Sequence, residues 1–121
     1  MISTKLALRD HESHVVITLR GELDLVDAPY VAAALAAVAD RDPWIVVDLA
    51  GLEFIDCCGA AALARGRKQA RLAGGDLLLA APRPQVLRIL TSKRLAHDFS
   101  CHASTEEAAS DLEDAQSEPP P

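Results

Sequence analysis

Trp44-Ile45-Val46-Val47-Asp48-Leu49, then Phe54-Ile55-Asp56-Cys57-Cys58-Gly59, then Ala60-Ala61-Ala62-Leu63: the reading of this stretch decides the fold. The first run has the length and β-branched content of a buried strand. A short loop carrying the apolar pair Phe54-Ile55 follows and ends at Asp56. After Gly59 the residues turn to Ala and Leu, strong helix formers, and the helical character lasts until Gly74-Gly75. Asp56, Cys57 and Cys58 therefore stand where a strand hands over to a helix. Backbone N–H groups without intrahelical partners gather at such an end, and an anion or a reactive side chain placed there is stabilised. A functional site is expected at this turn.

The same alternation spreads outward. Thr4 to Leu8 and His14 to Arg20 read as two strands joined by the polar turn Asp10 to Ser13, paired antiparallel. Asp27 is placed to cap a helix with Pro29 in its first turn, and Val31, Leu35 and Val38 share one face of that helix up to about Asp40. Asp42-Pro43 breaks it before Trp44. In the helix after Gly59, Leu63, Gly66, Ala70 and Ala73 share a face small enough to lie close to a sheet, while Arg65, Arg67, Lys68 and Arg71 point to solvent. Asp76 to Ala80 is a further buried strand, and Pro82 to about Ser92 a further helix with Val86, Leu87 and Leu90 inward. Phe99-Ser100-Cys101 reads as a short edge strand. Ser104 and Glu107 form a capping box that opens a last helix ending near Leu112. The prediction is one α/β domain over residues 1–113, with a small mixed sheet: an N-terminal antiparallel hairpin, later strands parallel, and about four helices. Residues 114–121, acidic and Pro-rich, are expected to be a disordered tail.

Composition narrows the function. The chain has 121 residues, half hydrophobic and only 3% aromatic, which suits one core of Leu, Val, Ile and Ala. Its net charge of −6 is concentrated at one end: from Ser104 onward there are six acidic residues and no Lys or Arg. Removing those six from the 18 acidic residues leaves 12, against 12 Lys and Arg. A neutral body with few aromatics speaks against a nucleic-acid surface. Apolar runs fall well short of the roughly 20 residues that span a bilayer, and the first residues do not read as a signal peptide. A cytoplasmic protein is expected. Three cysteines, two of them adjacent, form no disulfide framework.

No constellation signals catalysis, and no cofactor is expected. Asp24 and Asp56 are most simply loop carboxylates, the four histidines are scattered, and Cys57-Cys58 lacks zinc-ligand spacing. Gly74-Gly75 has no phosphate-loop lysine. What remains is a surface. In a parallel sheet the loops at the carboxyl ends of the strands form the usual binding edge. Gly21-Glu22-Leu23-Asp24 and Asp56-Cys57-Cys58-Gly59 both fall on it.

Gly21-Glu22-Leu23-Asp24-Leu25, Val46-Val47-Asp48-Leu49, Phe54-Ile55-Asp56-Cys57-Cys58-Gly59, Ala73-Gly74-Gly75 and Ser104-Thr105-Glu106-Glu107-Ala108 appear in this order. The pattern resembles the STAS domain family, which includes bacterial anti-sigma factor antagonists, over about residues 4 to 112. The resemblance implies a non-enzymatic binding module that sequesters an anti-sigma factor of the serine-kinase ATPase type. In that family the helix-start motif reads Asp-Ser-Ser-Gly or Asp-Ser-Thr-Gly, and its second hydroxyl is phosphorylated to release the partner. Carried over, Cys58 takes the phosphoacceptor position, Asp56 precedes the pair, and Asp24 is the acidic residue of the neighbouring loop. Both hydroxyls are Cys here, which implies loss of phosphorylation control. Related roles within the family, as an accessory subunit of a lipid-transport or signalling complex, are the alternative. A thiol redox-responsive regulator is another, since a cysteine at a helix start can ionise readily. Neighbouring carboxylates and the strain of a disulfide between adjacent residues weigh against it. The oligomeric state is not legible.

Overall fold

A computed structural model describes residues 4–117. The elements run β1 (Thr4–Asp10), β2 (Val15–Leu23), α1 (Ala28–Arg41), β3 (Trp44–Ile55), α2 (Cys57–Leu72), β4 (Asp76–Ala80), α3 (Pro84–Leu90), β5 (Cys101–His102) and α4 (Thr105–Ser117). The five strands lie side by side in chain order, β1 antiparallel to β2 and every later pair parallel. This is the predicted α/β architecture with a mixed sheet and four helices.

Each side of the sheet follows from strand alternation. Val15, Ile17 and Leu19 of β2, Ile45, Val47 and Leu49 of β3, and Leu77 and Leu79 of β4 point one way. They pack against Val31, Leu35 and Val38 of α1, Leu63 and Ala70 of α2, and Val86 and Leu90 of α3. The Val, Leu and Ile side chains among them contribute about 1.5–3 kcal/mol each when fully buried. Val46, Leu78 and Ala80 point the other way, onto Ala108 and Leu112 of α4. Gly66 of α2 faces α1, where a Cβ would lie 2.6 Å from Leu35 Cδ1, so the absent side chain lets the two helices close on each other. Gly74, with φ of 95°, adopts the left-handed turn that closes α2.

Several expectations are corrected. β3 continues through Ala50–Glu53, which read as a loop, because Leu52 and Ile55 still reach the core. Its pairing with β2 shifts register between Thr18 and Arg20 and again after Gly21, and this irregularity breaks the alternation that marks a strand. Leu87 lies at the surface of α3 and Ala73 caps α2 in solvent, so neither faces the core. The basic residues of α2 do not share one solvated face. Arg67 is largely buried, donating to Asp76 at 3.0 Å and to the Asp98 carbonyl at 2.6 Å, and Arg71 joins Asp76 at 3.3 Å. Asp27 occupies the cap position of α1 without a capping bond from its side chain. Its Oδ2 accepts from the Thr4 N–H at 2.7 Å instead, tying the start of β1 to that of α1.

The short edge strand is Cys101–His102 rather than Phe99–Cys101. α4 passes Leu112 and runs to Ser117, so residues 114–117 of the expected tail are helical. Gln116 donates to the Ser13 carbonyl at 2.9 Å, a polar contact that needs no apolar anchor. The rest of that tail, 118–121, lies outside the described residues.

Candidate functional site

β2 and β3 end in register. Leu23 pairs with Ile55, so Asp24 and Asp56 follow as the next residues of two adjacent parallel strands. The Asp56 N–H donates back to the Leu23 carbonyl at 3.2 Å. Beyond that point the two segments form one hydrogen-bonded unit. Asp24 Oδ1 accepts from the Val26 N–H at 3.0 Å, and its carbonyl accepts from Asp27 and Ala28, shaping the turn into α1.

Asp56 is the N-cap of α2, which begins at Cys57, earlier than the Ala-rich composition after Gly59 indicated. The carboxylate works in two directions: Oδ1 accepts from the Gly59 N–H at 2.8 Å, and Oδ2 from the Leu25 N–H at 3.0 Å. The anion that a helix start favours is thus supplied by the chain itself. Gly59 is required by space. A Cβ there would lie 2.6 Å from the Leu23 carbonyl oxygen and 2.8 Å from the side chains of Leu23 and Ile55.

Cys57 and Cys58 form the first turn of α2. Cys57 is exposed and Cys58 half-buried, both as free thiols. The Cys58 side chain rests on Ala28, Ala32 and Ala62, the small-residue seam between α1 and α2. Loss of hydration, then Cys57 and the Asp56 carboxylate, push its thiol above the ordinary cysteine range, which keeps it protonated and uncharged at neutral pH.

Around these groups stand apolar side chains that sequence patterning passed over. Leu25 and Val26 are each 67% exposed, and Phe54, two residues before Asp56, is 47% exposed. Leu25 and Val26 sit between two aspartates in a non-repetitive loop, so no periodicity flagged them. A pair of large apolar residues with no core to enter was the available signal. The β4–α3 connection closes the edge, as Arg83 donates to the Ala50 carbonyl at 2.8 Å and Gln85 to the Glu53 carbonyl at 3.2 Å. The structure therefore brings Asp24, Asp56, Cys57, Cys58 and Gly59 together at one sheet edge. Among the described residues no group of three or more His, Cys, Asp or Glu is placed to hold a metal ion. No described helix is long and apolar enough to cross a membrane.

Residues 5–108 match the STAS domain. The chain belongs to the STAS domain family. One STAS relative, the anti-sigma-F factor antagonist RsfA of Mycobacterium tuberculosis, is 34% identical over 110 residues, 88% of this chain and 85% of RsfA. An anti-sigma factor antagonist from Mycobacterium paratuberculosis superposes with a TM-score of 0.77 at 27% identity, covering 92% of this chain and 95% of its own. Unphosphorylated SpoIIAA, another anti-sigma factor antagonist, has the same fold, with a TM-score of 0.75 at 22% identity over 91% of this chain and 97% of its own.

Proposed function

We propose that this STAS domain is an anti-sigma factor antagonist, a regulatory binding module that sequesters an anti-sigma factor and performs no catalysis. The observation that carries this reading is the 34% identity to an anti-sigma-F factor antagonist across most of both chains. The docking surface is the edge formed by Asp24, Leu25, Val26, Asp56, Cys57 and Cys58. Its central cluster is apolar and neutral, and its carboxylates are engaged with backbone N–H groups, a composition suited to a desolvated protein interface.

The partner in this proposal is the serine-kinase ATPase type of anti-sigma factor. A phosphate added at the second residue of α2 brings a charge of about −1.5 to −2 beside Asp56 and drives the partner off by repulsion and desolvation. Cys58 provides no hydroxyl at that position, and its thiol is held uncharged. The protein therefore stays in the binding-competent state whether or not ATP is present. The raised pKa of the Cys58 thiol, which suppresses its ionisation, speaks against a thiolate switch at that sulfur. The reading is tested by affinity purification of the full chain from cells in the presence of ATP. Co-purification of an anti-sigma factor of this ATPase type, retained with no phosphate on residues 56–59, is the expected result. Recovery of a transporter ATPase in its place, or release of the partner on addition of ATP, overturns it.

A further inference from the structure

On the face of the sheet away from α1, α2 and α3, α4 packs against β3, β4 and β5 and its apolar cluster reaches Val16 of β2, while the other end of the β1–β2 ribbon, at Lys5 and Arg20, stays exposed. Leu6 and Leu19 are cross-strand partners that turn toward the core, so the next pair, Lys5 and Arg20, turns to this face. Side chains directly opposite on antiparallel strands have Cβ atoms about 4.5–5.5 Å apart, and like charges placed there destabilise the ribbon. Neither cation has an ion-pair partner among the described residues. Two adjacent cations without a direct ion pair are a local cost, and a dianion bound between them lowers it.

The surroundings are shaped for one. A groove of about 820 Å³ runs from Lys5 and Arg20 along Ala7 and Val16, walled by Ala109 of α4 and closed at the far end by the stacked rings of His11 and His14. This volume lies in the range of small-molecule sites, about 300–1,000 Å³. A second recess of about 330 Å³, lined by Gly21, Gly51 and Glu53, opens on the same two cations. Gly51 is part of the construction: a Cβ there would stand 2.8 Å from Arg20 Cγ, so the bare backbone lets the arginine stem lie flat across β3. The carboxylates of the groove are turned to local donors, Asp48 to the Ala50 N–H at 3.0 Å and Glu106 to the Thr105 hydroxyl at 3.3 Å. Glu53 pairs with neither cation.

We propose that Lys5 and Arg20 hold the phosphate of a small, free, amphipathic phosphate monoester whose apolar body lies along Ala7, Val16 and Ala109. The double charge of a phosphate matches two cations, and the guanidinium fork matches its oxygens. A recess with a wall and a closed end admits one molecule, whereas a bilayer surface meets cations that protrude. The site is separate from the edge at Asp24 and Asp56 and does not depend on the role assigned to that edge.

The test is a titration of the ¹⁵N-labelled full chain, followed by amide shifts, with octyl phosphate as the probe. Saturable shifts at Lys5, Ala7, Val16 and Arg20 are expected, with inorganic phosphate at least tenfold weaker and octanol weaker still. Lys5→Gln with Arg20→Gln should weaken octyl phosphate at least tenfold. Should that double variant not fold, Gly51→Ala, which keeps both charges and displaces the arginine stem, and Lys5→Gln alone at its exposed position should each weaken it severalfold. Absence of shifts at millimolar probe overturns the proposal. So do shifts confined to another surface, unchanged affinity in the variants, or binding to phosphatidic acid vesicles or an acidic peptide without binding to octyl phosphate.

Discussion

The carboxylate of Asp56 accepts a hydrogen bond from the backbone N–H of Leu25 at 3.0 Å, joining residues 31 apart in sequence. The same carboxylate caps α2 through Gly59 at 2.8 Å. One side chain thus sets both the start of the helix and the path of the loop beside it. Asp56→Ala removes both bonds, and loss of an N-cap costs about 0.5–2 kcal/mol. Urea denaturation should register that loss, and partner binding should fall by more than stability alone explains. Asp56→Asn, which retains capping ability, should recover most of the stability.

Gly59→Ala sets two effects against each other. Alanine favours a helix by about 1 kcal/mol over glycine. Its Cβ, however, would press on the Leu23 carbonyl at 2.6 Å and on Ile55 and Leu23 side chains at 2.8 Å. Overpacking of this kind costs about 1–3 kcal/mol, and backbone oxygen yields less than the tip of a flexible side chain. Net destabilisation is the expected outcome of equilibrium unfolding, and an increase in stability would show that the β2–α2 contact relaxes freely.

Cys58 is probed by two substitutions with opposite meaning. Cys58→Ser supplies the missing hydroxyl, so an anti-sigma kinase with ATP should label it and then release it, while the parent chain stays unlabelled and bound. Cys58→Asp places a charge beside Asp56 and should weaken the complex at least tenfold, with the effect reduced at high salt. Equal labelling of the parent and Cys58→Ser chains would place phosphorylation elsewhere.

Asp76 contributes to the acid sensitivity of the fold. Burial raises its pKa, but hydrogen bonds from Arg67 and the Leu77 N–H and the charges of Arg67 and Arg71 outweigh burial and hold it below the usual carboxylate value. A carboxyl whose folded pKa is depressed contributes stability above its unfolded pKa of about 3.9. That contribution is lost as pH falls below that value through the folded pKa. Stability measured between about pH 5 and pH 2 should therefore fall less steeply in Asp76→Asn than in the parent chain. Arg67→Leu should be less stable at neutral pH, because it leaves Asp76 half-buried with only the exposed Arg71 as its ion-pair partner.

Much of the architecture was legible because the strands of the sheet carry strong local signals: β-branched runs at Val15–Thr18 and Ile45–Val47, Pro29 inside a helix start, glycines after a helix end. What escaped prediction depends on partners distant in sequence. Arg67 reads as one member of a basic surface cluster until β4 brings Asp76 beneath it. Asp27 reads as a helix cap until β1 presents the Thr4 N–H. Gln116 gains its role only when the β1–β2 turn arrives beside α4. At the candidate site, residue types marked the position of Asp56, Cys57 and Cys58, but neither the second bond of Asp56 nor the exposure of Leu25 and Val26 follows from local pattern.

The tether from Asp56 to Leu25 has an energetic implication for recognition. Immobilising a rotamer-rich interfacial side chain or ordering a loop on association costs about 0.5–1.5 kcal/mol per side chain. Here the backbone beneath Leu25 and Val26 is already pinned at both its ends, by Asp56 on one side and by the Asp24 turn on the other. The path of the loop is thereby preorganised, so in the proposed docking role only the exposed side chains of Leu25 and Val26, and not the backbone beneath them, remain to be ordered on association.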